Sequence, residues 1–284
     1  MKNRKQKRKK KQSFSIWKAI KFLCIAAAIV VVAFTTIFFT MPSARNSISD
    51  WCYSRYLQAR VAVGRFFSGN GNGYIKMEIP LNSNYYYGID VSNYQKDIDW
   101  GKVAIEVGPD KKLPVAFAYL KATEGITIAD KQYNKNRNKA EKSGIPTGAY
   151  HFFSMQSPAD KQAEFFIKNV TLKKGDLRPV LDFEVTSLFH GKKELRRRAL
   201  IWLEIIEKHY GCRPIIYTCH SIYKSLFKAP EFEKYDFWIA SYDYDPKEDY
   251  VAWQFSQYGT VHGINHDTDL NLVKSKNDLR KLFY

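Results

Sequence analysis

The chain has 284 residues, 45% hydrophobic and 15% aromatic, enough to bury a sizeable core in one or two domains. Its formal charge of +17 suggests a nucleic-acid binder only until it is located: ten basic residues fall in positions 1–21, which hold no acid, and residues 22–284 carry the remaining +7. Four cysteines without Cys-x-x-Cys or Cys/His spacing argue against a disulfide framework and a metal site, and no cofactor is expected.

The first segment, residues 1–21, is a basic tail that opens MKNRKQKRKKKQ. Residues 22–41 follow without a charge, rich in Ala, Ile, Val and Phe. As a helix they rise about 30 Å, the thickness of a bilayer's hydrocarbon core. Basic residues before the span predict a cytoplasmic N-terminus, with the rest of the chain outside the cytoplasm. A cleaved signal peptide is the competing reading, but Pro42 occupies the −3 position of the nearest cleavage site, after Ala44, where a small residue is wanted. The expected partner of residues 22–41 is the lipid bilayer, and the basic block is a topology signal rather than a nucleic-acid patch. Residues 42–80 read as a stalk and linker, with apolar residues spaced among arginines and a flexible joint at SGNGNG, 68–73.

Residues 81–284 read as one domain in which strand-like and helix-like segments alternate. The strands expected are 85–91, 115–121, 147–153, 179–185, 214–218, 237–241, 252–256 and 269–273. The helices expected are 100–107, 131–143, 159–169, 195–210 and a short 221–227. In the longest helix the apolar residues recur at 195, 199, 202, 203 and 206, a helical period, and Gly211 stands where the helix should stop. Cys212 and Cys219 flank one of the expected strands, so about 23 Å of extended chain separates them and they are unsuited to pairing. Repeated βα units imply a barrel or a doubly wound sheet, and about eight strands favour the barrel. Because almost no helix separates the last three strands, that barrel should be irregular there.

The strongest local feature is Val180-Leu-Asp-Phe-Glu-Val185. Strand alternation puts Asp182 and Glu184 on one face, about 6.6 Å apart by Cα spacing. Carboxylates that close raise one another's pKa, and glycosidic cleavage needs such a pair, one protonated and one ionised. Asp90, at the tip of the first strand, and Asp269, opening the last, would join them when the barrel closes.

The order of motifs resembles family 25 of the glycoside hydrolases, the Chalaropsis-type lysozymes. The resemblance rests on YGIDVSNYQ, FAYLKATEG, GIPTGAYHFFS, LDFEV, PIIYT, FWIASY, WQFSQYG and DTDLN, in order over residues 86–273. It implies a flattened, irregular β/α barrel. The implied activity is that of a muramidase, cutting peptidoglycan glycan strands between N-acetylmuramic acid and N-acetylglucosamine. Carried over, Glu184 is the general acid. Asp182 assists the substrate's own acetamido group in a retaining route, and Asp90 and Asp269 shape the charge around them. Tyr150, Tyr217, Trp238, Tyr242 and Lys121 are the expected substrate contacts. His151 points the opposite way from Tyr150 and reads as a packed histidine. The anchor, the stalk and a lysine-bearing insert, SLFHGKK, depart from the family pattern. A catalytically dead wall-binding module is the rival reading, opposed by retention of all four acids. A chitinase would carry Asp-x-x-Asp-x-Asp-x-Glu, but Arg178-Pro-Val-Leu precedes Asp182.

Overall fold

The computed structural model describes residue 36 and residues 78–184 and 191–284. The basic tail, the spanning segment apart from Thr36, nearly all of the stalk and linker, and residues 187–190 of the insert lie outside the described residues. Among the described residues no helix is long and apolar enough to cross a membrane.

Eight strands close into a barrel: β1 (Tyr86–Val91), β4 (Phe117–Glu124), β6 (Thr147–Phe152), β7 (Val180–Asp182), β8 (Ile215–Cys219), β9 (Phe237–Ala240), β10 (Ala252–Gly259) and β12 (Thr268–Val273). Around the ring the order is β1-β12-β10-β9-β8-β7-β6-β4, and β4 pairs back onto β1. All neighbours are parallel except β12, which runs antiparallel to both β10 and β1. The expected irregularity is this reversed strand, and no α-helix lies between β9, β10 and β12. Below, "mouth" means the end where the parallel strands finish and "floor" the end where they begin.

Side-chain alternation along each strand makes two apolar layers. Inside the barrel lie Phe117, Tyr119, Val180, Ile215, Tyr217, Trp238, Ala240, Ala252 and Val273, with Leu177 and Leu282 at the floor. Their strand neighbours Ala118, Leu120, Leu181, Ile216, Ile239, Trp253 and Leu272 face outward into the second layer. That layer is completed by the helices α1 (Tyr133–Lys142), α2 (Ala159–Asn169), α3 (Lys192–Tyr210) and α4 (His220–Ile222), the last running into a π turn, Tyr223–Phe227. In α3 the buried residues are Leu195, Ala199, Trp202, Leu203 and Ile206, the periodicity expected, and Gly211 closes it in a left-handed conformation, φ 73°. Gly148 keeps the interior closed: a Cβ there would stand 2.3 Å from the Tyr119 ring.

Two expectations fail. The helix expected over 100–107 is a 3₁₀ turn, Trp100–Lys102, followed by a strand, β2 (Ala104–Glu106). That strand joins β3 (Lys112–Pro114) and β11 (Val261–His262) in a small antiparallel sheet beside the barrel. The apolar residues Val103, Ile105 and Val107 alternate, a strand period too short to register against the Trp100 turn. The strand expected over 179–185 stops at Asp182. A two-residue strand, β5 (Ile128–Ala129), and a C-terminal helix, α5 (Lys276–Lys281), were not anticipated.

Candidate active site

The inward parity that fills the barrel with apolar groups at the floor delivers polar groups at the mouth. In β1, Asp90 follows Gly88 on the inner face; in β7, Asp182 follows Val180; in β10, Gln254 follows Ala252. Because β12 runs backwards, its inner residues reach the mouth first: Asp269 and Asn271 precede Val273. Register then fixes the neighbours. Asp90 stands opposite Asp269, Gln254 opposite Asn271, Asp182 opposite Tyr217, and Lys121 opposite Tyr150.

Asp90 is buried and one of its oxygens, Oδ2, accepts from Gln254 Nε2 at 2.9 Å and Asn271 Nδ2 at 2.8 Å. Gln254 Oε1 in turn accepts from the hydroxyls of Tyr217 (2.8 Å) and Tyr242 (2.7 Å), and Asn271 Oδ1 accepts from Trp238 Nε1 at 2.9 Å. Three of the expected substrate contacts are thus tied into one network that ends on Asp90. Trp238 is only 2% exposed and packs on Tyr119 and Tyr217, so it supports this network from beneath the mouth. Tyr150 and Tyr242 keep partial exposure.

Asp182 is also buried, and its Oδ1 has no hydrogen-bond partner among the described residues. An orphaned carboxylate oxygen in a mouth is costly unless a ligand completes it. Beyond Asp182 the chain stays tied to β8: Phe183 N donates to Tyr217 O at 2.9 Å and Thr218 Oγ1 donates to Phe183 O at 2.7 Å. Phe183 is fully buried on the outer side, and Glu184 emerges exposed just past the strand end. The two acids therefore differ more in setting than simple alternation within one strand implies.

Burial and mutual repulsion shift the acids together. Burial pushes Asp90 up to about 6, against its two amide hydrogen bonds and with Glu184 adding to the rise. Asp182 is raised well above the carboxylate range by burial, then by Glu184, while Lys121 opposes the rise. Burial also raises Asp269 well above it, reinforced by Asp90 and Glu184. Asp90, Asp182 and Asp269 therefore hold protons to higher pH than isolated carboxylates would, and Glu184 adds to the rise of each.

Lys121 is paired with Glu124 at 2.5 Å, so it meets an acid of its own strand and not Asp90, and its ammonium lies 5.1 Å from the centre of the Phe152 ring. His151 faces the helices, between Thr123 Oγ1 (2.7 Å) and Gln162 Oε1 (3.0 Å), stacked on Trp202. Burial lowers its pKa to about 3. It is a packed, neutral histidine. Cys212 and Cys219 are free thiols. No group of His, Cys, Asp and Glu among the described residues is arranged to hold a metal ion.

Gln254 and Asn271 are site residues that the sequence alone did not single out. Both lie inside quoted motifs, WQFSQYG and DTDLN, and both sit at inward positions, which was the available signal.

Acids crowded at the mouth of a largely parallel barrel are an arrangement suited to the hydrolysis of glycosidic bonds. The profile of "Glycosyl hydrolases family 25" matches residues 89–264. The YegX protein of Escherichia coli (strain K12) is 38% identical over 190 residues, covering 66% of this chain and 68% of its own. Lysozyme M1 of Streptomyces globisporus is 30% identical over 235 residues, covering 75% and 77%. In structure, a family 25 glycosyl hydrolase from Bacillus anthracis superposes with a TM-score of 0.62 at 28% identity, covering 75% of this chain and 99% of that one. The chain belongs to glycosyl hydrolase family 25 and is a glycosidase of the lysozyme, or muramidase, type.

Proposed function

We propose that the domain cleaves the β-1,4 bond between N-acetylmuramic acid and N-acetylglucosamine in peptidoglycan. Glu184 is the general acid that protonates the leaving glycosidic oxygen. Asp182, through the oxygen left without a partner, orients the 2-acetamido group that attacks the anomeric carbon, giving a retaining route. Asp90 and Asp269 hold the surrounding charge, and Tyr150, Tyr217, Tyr242 and Lys121 line the sugar's path, with Trp238 supporting them. The observation that carries this reading is the convergence on one mouth of three buried carboxylates raised by burial, with Glu184 adding to the rise of each. The general acid and its partner need different protonation states, which such crowding favours.

The reading includes a tether. Residues 22–41 span a bilayer, with the N-terminus cytoplasmic and the catalytic domain outside, supported by a charge-free run of bilayer length behind a basic block. Deleting residues 22–41 should move the protein out of the membrane fraction.

The catalytic reading is tested by counting new reducing ends in digested peptidoglycan. New muramic acid ends from the wild type, lost in Glu184→Gln, are the expected result. New N-acetylglucosamine ends would overturn the bond assignment, and full turnover by Glu184→Gln would overturn the acid.

A further inference from the structure

Among the described residues the exposed large hydrophobic side chains are Leu81, Tyr94, Tyr244 and Tyr284. Two of the four, Tyr94 and Tyr244, belong to segments that leave the mouth. Tyr94 lies in the turn Asn93–Gln95 directly after β1, four residues past Asp90, and the residue is 39% exposed. Tyr244 lies two residues past Tyr242 on the connection from β9 to β10 and is 51% exposed.

Each tyrosine is set against a histidine. The Tyr94 ring lies 5.3 Å from the His266 ring, three residues before Asp269. Asp90 and Asp269 are register partners, so Tyr94 and His266 extend that pair outward from the same sector of the ring. The Tyr244 hydroxyl is 3.0 Å from His220 Nδ1, the rings are 5.6 Å apart, and His220 Nε2 is 3.4 Å from Glu248 Oε1.

The supporting loops are pinned as well. Ser92 and Gln95 form a capping box around the Tyr94 turn, and Gln95 Nε2 donates to Asp267 O at 3.0 Å, joining that turn to the segment that carries His266. Ser241 Oγ donates to Tyr244 O at 2.7 Å. An exposed aromatic face held in place loses little freedom when a ligand covers it. A pyranose presents an apolar face of C–H groups rimmed by hydroxyls, which suits a tyrosine ring beside a polar histidine. Strands β1 and β9 are three steps apart around the ring, with β12 and its Asp269 between them.

We infer that Tyr94 with His266, and Tyr244 with His220, are two saccharide-stacking platforms that hold hexosamine units of the glycan chain on either side of the acids, given the muramidase activity proposed above. The enzyme then reads chain length, binding several sugars beyond the pair whose bond is cut.

The test uses the full chain on peptidoglycan oligosaccharides of defined length (tetra-, hexa- and octasaccharides), comparing wild type with Tyr94→Ala, Tyr94→Phe, Tyr244→Ala, Tyr244→Phe and Glu184→Gln. In the wild type kcat/KM rises with length. Each alanine variant loses about five- to tenfold of kcat/KM on the octasaccharide, through KM, and less on shorter chains. The phenylalanine variants keep the wild-type length dependence, because the ring does the stacking. Wild-type kcat/KM at every length in both alanine variants overturns the platforms. So does an equal loss at every length carried by kcat. Either result beside an inactive Glu184→Gln leaves the acid assignment standing. Turnover retained by Glu184→Gln overturns that assignment alone, and the length dependence still reads the platforms.

Discussion

Gln254 donates its side-chain amide to Asp90 at 2.9 Å, across 164 residues of sequence, and the tyrosine hydroxyls on its carbonyl oxygen fix which way that amide points. Asp90 thus meets a donor whose orientation is set by Tyr217 on β8 and Tyr242 on the β9–β10 connection, and Asn271 repeats the arrangement through Trp238. Gln254→Glu replaces the donor with an oxygen facing Asp90. It should destabilise the fold by about 1–3 kcal/mol, the cost of an unpaired buried polar group. Thermal unfolding near neutral pH checks this, and the loss should shrink in acid as the new carboxyl is protonated.

Glu184→Gln should fold normally, since Glu184 is exposed, yet lose about 10²–10⁴-fold in kcat, the usual contribution of a positioned general acid. Asp182→Asn should also lose kcat. Unlike Glu184→Gln, it should gain thermal stability at neutral pH, because it removes a buried carboxylate whose pKa is raised by burial and by Glu184. Kinetics and melting on the same preparations separate the two.

Two buried groups give stability slopes of opposite sign between about pH 4 and 6. Asp90 has its folded pKa raised to about 6 from 3.8, so the folded state binds more protons in that window and stability falls as pH rises. His151 has its folded pKa lowered to about 3 from 6.5, so the unfolded state binds more protons and stability falls as pH drops. Each slope is at most about 1.4 kcal/mol per pH unit. Asp90→Asn should leave the protein more acid-sensitive than wild type, and His151→Phe less so. Melting curves across that range, with both variants unfolding in parallel with wild type, would refute the opposition.

Gly148→Ala should disrupt the barrel itself. Its Cβ would meet the Tyr119 ring at 2.3 Å, and Tyr119 is fully buried against Trp238. Overpacking of this kind costs about 1–3 kcal/mol or more, and the double variant Gly148→Ala/Tyr119→Leu should recover part of it in a chemical denaturation series.

The barrel is legible in the sequence because several strands, β1, β7 and β10 among them, carry an apolar outer row opposite an inner row that turns polar at the mouth. Leu181 and Phe183 against Asp182 is the clearest case, and that alternation alone assigns the acid to the inner row. Local alternation could not show where pairing stops: β7 ends at Asp182, and only the hydrogen bonds of Phe183 with β8 determine how Glu184 leaves it. Nor could it show the partners of Asp90, since Gln254 and Asn271 become its donors only through register across β10, β12 and β1. The small sheet beside the barrel was hidden in part for the same reason: its hairpin, β2 and β3, is local, but its third strand, β11, comes from far along the chain.

The reversed strand β12 also decides where the barrel can be grasped. Tyr86 and Val273, the first and last residues of the barrel strands, are register partners at the floor, and Arg178 N donates to Leu282 O there at 2.7 Å. Entry and exit are therefore side by side, on the face opposite the acids. A cargo, label or support spliced to either end would sit clear of the passing polymer, and a short bridge between the two ends would let the gene be recut elsewhere, a design freedom that circular permutants with new openings in the β2–β3 turn could exploit.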